Sequence, residues 1–337
     1  MAAVTLSGVA RHAGVSLATA SRVLNGSSRR PAEDIAERVR AAAIELGYVP
    51  NAQAQALARS STGLVGLVVH DISDPYFSSI ARGVQHAARN YRRQVLLAST
   101  DPSESAEHDA VSAFASHRTD AIILAGSRRA HSDPDLEQEL ARYQQNGGRV
   151  VTIGGQPGSG LTVPVGNTDG AAALVSRLVA LGNTRFAILA GPGELNTARD
   201  RVAGFTGALT AAGLEPVAVV RSGFDREGGF EAAQRCWEEL RGERGVCLLA
   251  VNDVMAIGAI AGLRALGVSV PADALVTGFD DIPTLRDYSP ALTTVHLPLE
   301  RLGEEAANLA LNPDQELPAP VLGEVVIRES AGAGSAS

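Results

Sequence analysis

Residues 5–25 read TLSGVARHAGVSLATASRVLN and predict two short helices joined by a tight turn. The first helix is indicated by apolar residues at helical spacing, namely Leu6, Val9, Ala10 and Ala13. Gly14 suits the turn because it has no Cβ atom, and Ser16 can cap the next helix with its hydroxyl. The second helix is predicted to bury Ala20, Val23 and Leu24. Two helices joined in this way form a helix-turn-helix, whose second helix enters the DNA major groove.

The charge distribution favours nucleic-acid contact at this end of the chain. Residues 1–61 contain seven arginines and four acidic residues, a net charge of +3. The whole chain carries −8, so the rest carries −11 and would repel DNA. A basic segment on an acidic chain is the electrostatic signature of a phosphate-binding module. A helix pair in an ordinary protein core is the alternative that these residues alone leave open.

A third helix and a short segment follow. Residues 31–34, PAED, are a helix start with acidic residues in the first turn, and Gly47 ends the apolar pattern of that helix. Asn51 can then cap the segment AQAQALA, residues 52–58. Isolated helices shorter than ~12–15 residues are marginal in water, so we expect this segment to fold only against a partner. A plain linker is the alternative.

From Thr62 onward, apolar runs of strand length alternate with helical patterns. The runs are GLVVHD (66–71), VLLAST (95–100), AIILAG (121–126), RVVTIGG (149–155), FAILAGP (186–192), PVAVVRSGF (216–224), GVCLLAVND (245–253) and ALVTGFDD (274–281). Apolar strands alternating with helices predict parallel sheets that helices cover on both faces. Two such series predict two similar subdomains, and the second series is followed by TTVHLP (293–298), a helix after Pro298 and GEVVIRES (323–330). Residues 331–337, AGAGSAS, are predicted to form a disordered tail.

These features together resemble the LacI/GalR family of bacterial transcription regulators. The resemblance rests on VTLSGVARHAGVSLATASRVLNG, on ELGYVPNAQAQALARS and, more diffusely, on IRES near the end. It implies an N-terminal all-α helix-turn-helix head and an α/β body of two doubly wound parallel-sheet subdomains, similar to periplasmic binding proteins. In the family the chain passes between the subdomains three times, so the segments from residue 293 onward are expected to complete both sheets. The implied division is a head at 1–50, a hinge helix and linker at 51–61, an N-terminal subdomain at 62–163 plus 294–318, and a C-terminal subdomain at 164–293 plus 319–330.

The resemblance also implies which residues contact double-stranded operator DNA. Arg22 would read a base edge by hydrogen bonds, while Leu17 and Ala18 offer apolar contacts, for example to thymine methyl groups. Leu57 stands where the family's hinge helix wedges a leucine into the minor groove beside its dimer mate. The other expected contacts are Thr5, Leu6, Ser16, Thr19, Ser21, Asn25, Arg29, Asn51 and Ala54. No leucine heptad follows the body, so we expect a homodimer.

Polar residues at the ends of the predicted strands indicate a ligand site, because parallel sheets bind ligands beyond the carboxyl ends of their strands. The resemblance implies Arg201 from NTARDRVAGF, Asn252 from VNDVMAIGA and Asp280 from GFDD. The predicted effector residues are Asp71, Tyr76, Phe77, Ser127, Thr197, Arg201, Phe224, Asn252 and Asp280. Such side chains favour a sugar-like effector. Leu195 stands where a relative has an arginine for a nucleobase, which disfavours a nucleobase corepressor.

Other function classes find little support in the sequence. GxSxG, HExxH and Walker A motifs are missing, so we expect no enzyme, cofactor or metal site. Without a signal peptide or an apolar run of ~20 residues, we expect a cytoplasmic protein with no membrane partner. The sequence therefore predicts a DNA-binding transcription regulator, a repressor being favoured, that a small molecule controls. A sugar-binding protein without a DNA role and a nucleobase-responsive regulator are the alternatives, and the sign of the effector's action stays open.

Overall fold

The computed structural model describes residues 4–25, 31–49, 61–101, 103–126, 133–155 and 160–332. The chain forms two compact units, Met1–Gly63 and Leu64–Ser337, which we call the head and the body. Within the described ranges, no helix combines the length and the apolar character needed to cross a bilayer.

The head contains the predicted helix-turn-helix and a third helix. Its helices are α1 (Leu6–His12), α2 (Leu17–Asn25) and α3 (Glu33–Glu45). The Thr5 hydroxyl caps α1 by accepting a hydrogen bond from the Gly8 amide at 3.2 Å, and the Ser16 hydroxyl accepts one from the Thr19 amide at 3.1 Å. Gly14 makes the turn with φ of 64°. A small core forms around the fully buried Val9, Ala20 and Val39.

The first sheet of the body is parallel, with strand order β2-β1-β3-β4-β5. Its strands are β1 (Leu64–Val69), β2 (Gln94–Ser99), β3 (Ala121–Ala125), β4 (Arg149–Ile153) and β5 (Leu161–Val163), and its helices are α4 (Pro75–Asn90), α5 (Glu104–Ser116) and α6 (Pro134–Gln145). Alternate side chains of β1 enter different cores: Leu67 belongs to the core that includes α4, and Val68 to the core that includes α5 and α6. Both faces of the sheet are therefore covered, which explains the continuous apolar runs.

The second sheet is also parallel, with strand order β7-β6-β8-β9. Its strands are β6 (Phe186–Ala190), β7 (Ala218–Arg221), β8 (Val246–Ala250) and β9 (Ala274–Thr277), and its helices are α7 (Asn167–Ala180), α8 (Asn196–Ala211), α9 (Arg226–Glu239) and α10 (Asp253–Ala265). Helix α7 packs against α8, and α9 packs against α10. The two sheets confirm the predicted α/β body of two doubly wound subdomains.

The late segments do not complete the two sheets, so that prediction was wrong. Strands β10 (Thr294–His296) and β11 (Glu324–Val326) pair antiparallel with each other. Segment 293–296 forms no continuous ladder with β9. Single parallel bridges link Thr293 to Thr277 at the end of β9 and His296 to Asp280 just beyond it. The backbones of segments 294–296 and 324–326 pair with each other, Val295 opposite Val325, instead of adding a strand to either sheet.

After β9, the chain forms a 3₁₀ helix at Pro283–Asp287 and then strand β10. Helix α11 (Leu299–Leu311) follows and packs against α4 and β4 of the first subdomain. Two glycines allow the close approach of α4 and α11. A Cβ atom on Gly83 would lie 1.9 Å from the Glu300 carbonyl oxygen, and one on Gly303 would lie 2.1 Å from the Ile80 carbonyl oxygen. Of the predicted tail, the structure describes only Ala331, which is buried, and Gly332; the other residues of that prediction lie outside the described residues.

Candidate functional site

A cavity of about 1050 Å³ lies in the body between the carboxyl ends of the two sheets. Segments that follow β1 to β4 line one wall, and segments that follow β6 to β9 line the other. Binding cavities for small molecules commonly measure ~300–1,000 Å³, so this one can hold a ligand of that class. Predicted effector residues on its surface are Asp71, Tyr76, Phe77, Thr197, Arg201, Phe224, Asn252 and Asp280. Ser127 lies outside the described residues.

A buried ion pair between Arg201 and Asp280 lies at the cavity surface. Arg201 Nη2 donates to Asp280 Oδ1 at 2.7 Å, and Nη1 donates to Oδ2 at 3.3 Å. Nη1 also donates to the Val251 carbonyl at 2.7 Å, and Nε donates to Asn167 Oδ1 at 2.9 Å. The guanidinium carbon lies 3.9 Å from the ring centroid of Phe279. Four of the five guanidinium hydrogens are thereby used, and the fifth has no partner in the described part of the chain.

The backbone holds Asp280 in an uncommon conformation. Its φ is 109°, a region that residues with a Cβ atom rarely adopt. Its amide donates to the Val295 carbonyl at 2.9 Å, and its carbonyl accepts from the Leu297 amide at 3.2 Å. Burial raises the pKa of Asp280, and the charge of Arg201 acts in the opposite direction. Conformational strain of this kind persists where the surrounding structure enforces it and is common at binding sites.

Asp71 and Asp74 provide carboxylates on the opposite wall. Asp71 accepts hydrogen bonds from the Ser73 amide at 2.8 Å and from its hydroxyl at 2.7 Å, while Asp74 caps α4 by accepting from the Tyr76 amide at 2.9 Å. Burial, above all, raises the pKa of Asp74 to about 6, and the nearby charges of Asp280 and Asp71 add to the effect. Carboxylates beside aromatic side chains suit a ligand that has both hydroxyl groups and an apolar face.

Asn252 both lines the cavity and supports its wall. Its Oδ1 caps α10 by accepting from the Met255 amide at 2.8 Å, and its Nδ2 donates to the Phe224 carbonyl at 3.1 Å. Both polar atoms therefore have protein partners, and the side chain is buried. Its predicted contact with an effector stays a prediction, while its contribution to placing Phe224 is visible in the structure.

The head exposes one side of α2. Leu17 is 51% exposed, and Ala18 and Arg22 are also exposed. The other predicted DNA contacts divide into exposed Thr5 and Ser16 and half-buried Leu6, Thr19 and Ser21. Leu6 packs against the head core, which limits its reach. The side chain of Asn25 and all of Arg29, Asn51, Ala54 and Leu57 lie outside the described residues.

Two protein-family models match parts of the chain. Residues 5–51 match the bacterial regulatory proteins of the lacI family, and residues 175–331 match the periplasmic binding protein-like domain. The HTH-type transcriptional regulator GalR of Escherichia coli (strain K12) is 33% identical over 325 residues, which cover 95% of this chain and 92% of that protein. The chain belongs to the LacI family of bacterial transcription regulators.

Solved structures of transcription regulators resemble the fold of the whole chain. The Lac repressor dimer bound to operator and the anti-inducer ONPF has a TM-score of 0.83 at 27% identity, covering 98% of this chain and 100% of that one. The transcriptional regulator CelR in complex with cellobiose has a TM-score of 0.69 at 29% identity, covering 97% and 99%. GalR is named as a regulator, which agrees with the prediction that this LacI-family chain is not an enzyme.

Sequence reasoning missed three residues of the cavity region. Asn167, the first residue of α7, orients Arg201, and Phe279 lies fully buried beneath the same guanidinium. Asp74 could have been recognised, because an aspartate followed by proline is a common helix start. Asn167 carried no comparable signal, since its partner is far away in the sequence. Within the ranges the structure describes, no group of three or more His, Cys, Asp or Glu residues could hold a metal ion.

Proposed function

We propose that this LacI-family chain is a cytoplasmic repressor that binds a double-stranded operator as a homodimer. A sugar-like effector in the cavity controls that binding. The observation that carries the proposal is the buried Arg201–Asp280 pair, which faces a cavity of about 1050 Å³ in a chain that also has a helix-turn-helix head.

The exposed side of α2 supports the DNA-binding part of the proposal. Arg22 is long enough to reach a base edge, and arginine commonly makes a bidentate pair with guanine in the major groove. Leu17 and Ala18 precede it on the exposed side and offer apolar contacts. The similar Lac repressor is bound to operator as a dimer, which supports a two-headed arrangement on DNA.

The chemistry of the cavity supports a hydroxyl-rich effector. Asp280 keeps acceptor capacity beyond its two bonds to Arg201, and Arg201 retains one hydrogen. An adjacent donor and acceptor can hold neighbouring hydroxyl groups of a sugar. Leu195, a buried apolar residue of the lining, offers a purine ring no charged partner. The similar regulator CelR was solved in complex with cellobiose, a sugar.

The segments that connect the two subdomains, around β10 and Arg328, can couple ligand binding in the cavity to the relative orientation of the subdomains. Asp280 bonds to the backbone around β10, and its neighbour Asp281 accepts two hydrogen bonds from Arg328 at 2.7 and 3.0 Å. His296 lies 3.1 Å from the same carboxylate. An effector that binds one orientation more tightly shifts the population toward it and so changes operator affinity.

The full-length chain can test the proposal in two steps. Selection from a random duplex pool should recover an inverted repeat, and a thermal-shift screen should then find an effector, because a ligand of the native state raises its melting temperature. Asp280→Asn should retain operator binding and lose the response to that effector. Asp109→Asn, an exposed site in α5 outside the cavity lining, is the matched control. A folded Asp280→Asn variant that still responds would refute the assignment of the cavity.

A further inference from the structure

The charge of the cavity restricts which effector it can hold. Carboxylates of the described lining come from both walls: Asp71, Asp74, Asp101, Glu194, Asp225, Glu227 and Asp280. Arginines of the same lining are Arg201 and Arg226. Since Asp280 neutralises Arg201, the other six carboxylates face the single charge of Arg226. Like charges within a few ångströms repel, so an anionic ligand would enter against this field.

Helix N-termini, which often bind anions, are mostly occupied by the protein's own side chains. Asp74 caps α4, Asp225 caps α9 through the Gly228 amide at 2.7 Å, and Asn252 caps α10. Helices α7 and α8 have no side-chain cap, although the exposed carboxylate of Glu194 lies just before α8 on the cavity lining. At three of the five described helices that begin at the cavity lining, the protein's own side chain therefore occupies a backbone donor that an anion could use.

Asp74 lacks a counter-charge of its own. Its Oδ1 accepts from the Tyr76 amide, and no cation pairs with its carboxylate in the described part of the chain. The charged groups that act on it are Asp71 on its own wall and Asp280 and Arg201 on the other, and the first two disfavour its ionised form. A half-buried carboxylate in this setting gains from a ligand that brings a positive charge.

We propose that the effector is a hydroxyl-rich molecule that carries a protonated amine and no anionic group. The amine pairs with Asp74, and the hydroxyl groups bind at the Arg201–Asp280 pair. An ammonium group has three donors for the carboxylate oxygens, and a charge-assisted hydrogen bond is stronger than a neutral one. This inference rests on the proposed function, because it specifies the ligand class of the same cavity.

Matched sugars test the charge preference directly. The full-length chain is titrated near neutral pH with glucosamine, glucose and glucuronate, and with the corresponding galactose and mannose series, by thermal shift and calorimetry. Within a scaffold that binds, the amine should bind about tenfold more tightly than the neutral sugar, the equivalent of one charge-assisted hydrogen bond. The uronate should bind less tightly than either.

Asp74→Asn separates the charge from the fold, because asparagine can still cap α4. The advantage of the amine over the neutral sugar should fall to about onefold in this variant and persist in Asp109→Asn. In the unmodified chain the advantage of the amine should also shrink as the pH is lowered from about 7 to about 5, since Asp74 takes up a proton in that window. Because His70 also lines the cavity, the same pH series is run on Asp74→Asn, in which the relative affinity of amine and neutral sugar should not change with pH.

The possible outcomes separate this inference from the proposed function. A uronate or a neutral sugar that binds best within its series, or an amine advantage that survives in Asp74→Asn, overturns the charge assignment and leaves the sugar effector standing. A chain that no member of the panel stabilises contradicts the sugar-like effector itself.

Discussion

Replacing Arg201 with methionine should strongly destabilise the body. The side chains of Arg201 and Asp280 are 2% and 6% exposed, so the variant leaves a carboxylate buried without its counter-ion. Asn167 Oδ1 and the Val251 carbonyl also lose a donor. Breaking one side of a buried ion pair costs about 3–5 kcal/mol, and we expect the free energy of unfolding to fall by that amount.

A second substitution tests the cause of this loss. Asp280→Asn alone leaves Arg201 buried and unpaired, while the double variant Arg201→Met/Asp280→Asn has no unpaired charge. What then remains is the loss of the two bonds to Asn167 and Val251, roughly 1–3 kcal/mol for each acceptor left without a donor. The free energy of unfolding of the double variant should therefore be about 3 kcal/mol higher than the value obtained by adding the losses of the two single variants.

The penalty should depend on pH with a defined sign. Without Arg201, the folded-state pKa of Asp280 lies further above the unfolded-state value. The ionised form of Asp280 is then disfavoured in the folded state and not in the unfolded state. The loss of stability is therefore absent at pH values below the unfolded-state pKa of Asp280 and complete above its folded-state pKa. Relative to the unmodified chain, Arg201→Met should regain stability as the pH falls from about 7 toward the unfolded-state pKa.

Urea unfolding followed by tryptophan fluorescence can measure these effects. Trp237 is the only tryptophan of the chain and packs partly buried in α9, in the same subdomain as the ion pair. Arg199→Met is the matched control, an exposed arginine two residues earlier in α8, and it should change stability by less than about 0.5 kcal/mol. Equal effects of Arg199→Met and Arg201→Met, or strictly additive single losses, would refute the reasoning.

Three further predictions concern the head, the helix contact and Asp74. Arg22→Ala should cost about 1–3 kcal/mol at one base pair of each half-site in anisotropy titrations of operator variants, whereas an equal loss on all sequences would mean that Arg22 contacts only phosphate. Gly83→Ala should lower the free energy of unfolding by about 1–3 kcal/mol or more, because the new Cβ atom would collide with the Glu300 carbonyl. The control Gly207→Ala has open space around its Cβ atom and should raise the free energy of unfolding by up to ~1 kcal/mol. Similar urea midpoints for the two variants would contradict this. The pKa of Asp74 rises from 3.8 to about 6 on folding, so its ionised form destabilises the ligand-free folded protein by about 3 kcal/mol above pH ~6 and not below pH ~4. Asp74→Asn should therefore raise the free energy of unfolding by that amount near pH 7 and by nothing at pH ~4. A stabilisation that does not vary with pH would exclude the carboxylate as its cause.

The sequence alone determined the local architecture of this protein. Gly14 makes the turn of the head because it tolerates a positive φ, and Ser16 caps the helix that follows. The apolar runs of β1 and β8 indicate buried parallel strands. Signals of this kind depend on residues a few positions apart, so they can be recognised without knowing the fold. The placement of polar residues after parallel strands likewise located the cavity through Asp71 and Asp280.

Only the tertiary structure decided how distant segments meet. Whether segments 294–296 and 324–326 would extend a sheet or pair with each other depends on the path between subdomains, and a three-residue pattern does not encode that path. The bond from Arg201 to Asn167 and the charge environment of Asp74 arise where separate loops converge. Burial and Coulomb energies depend on distances through space, so a pKa near 6 at Asp74 is a property of the folded cavity and not of any stretch of sequence.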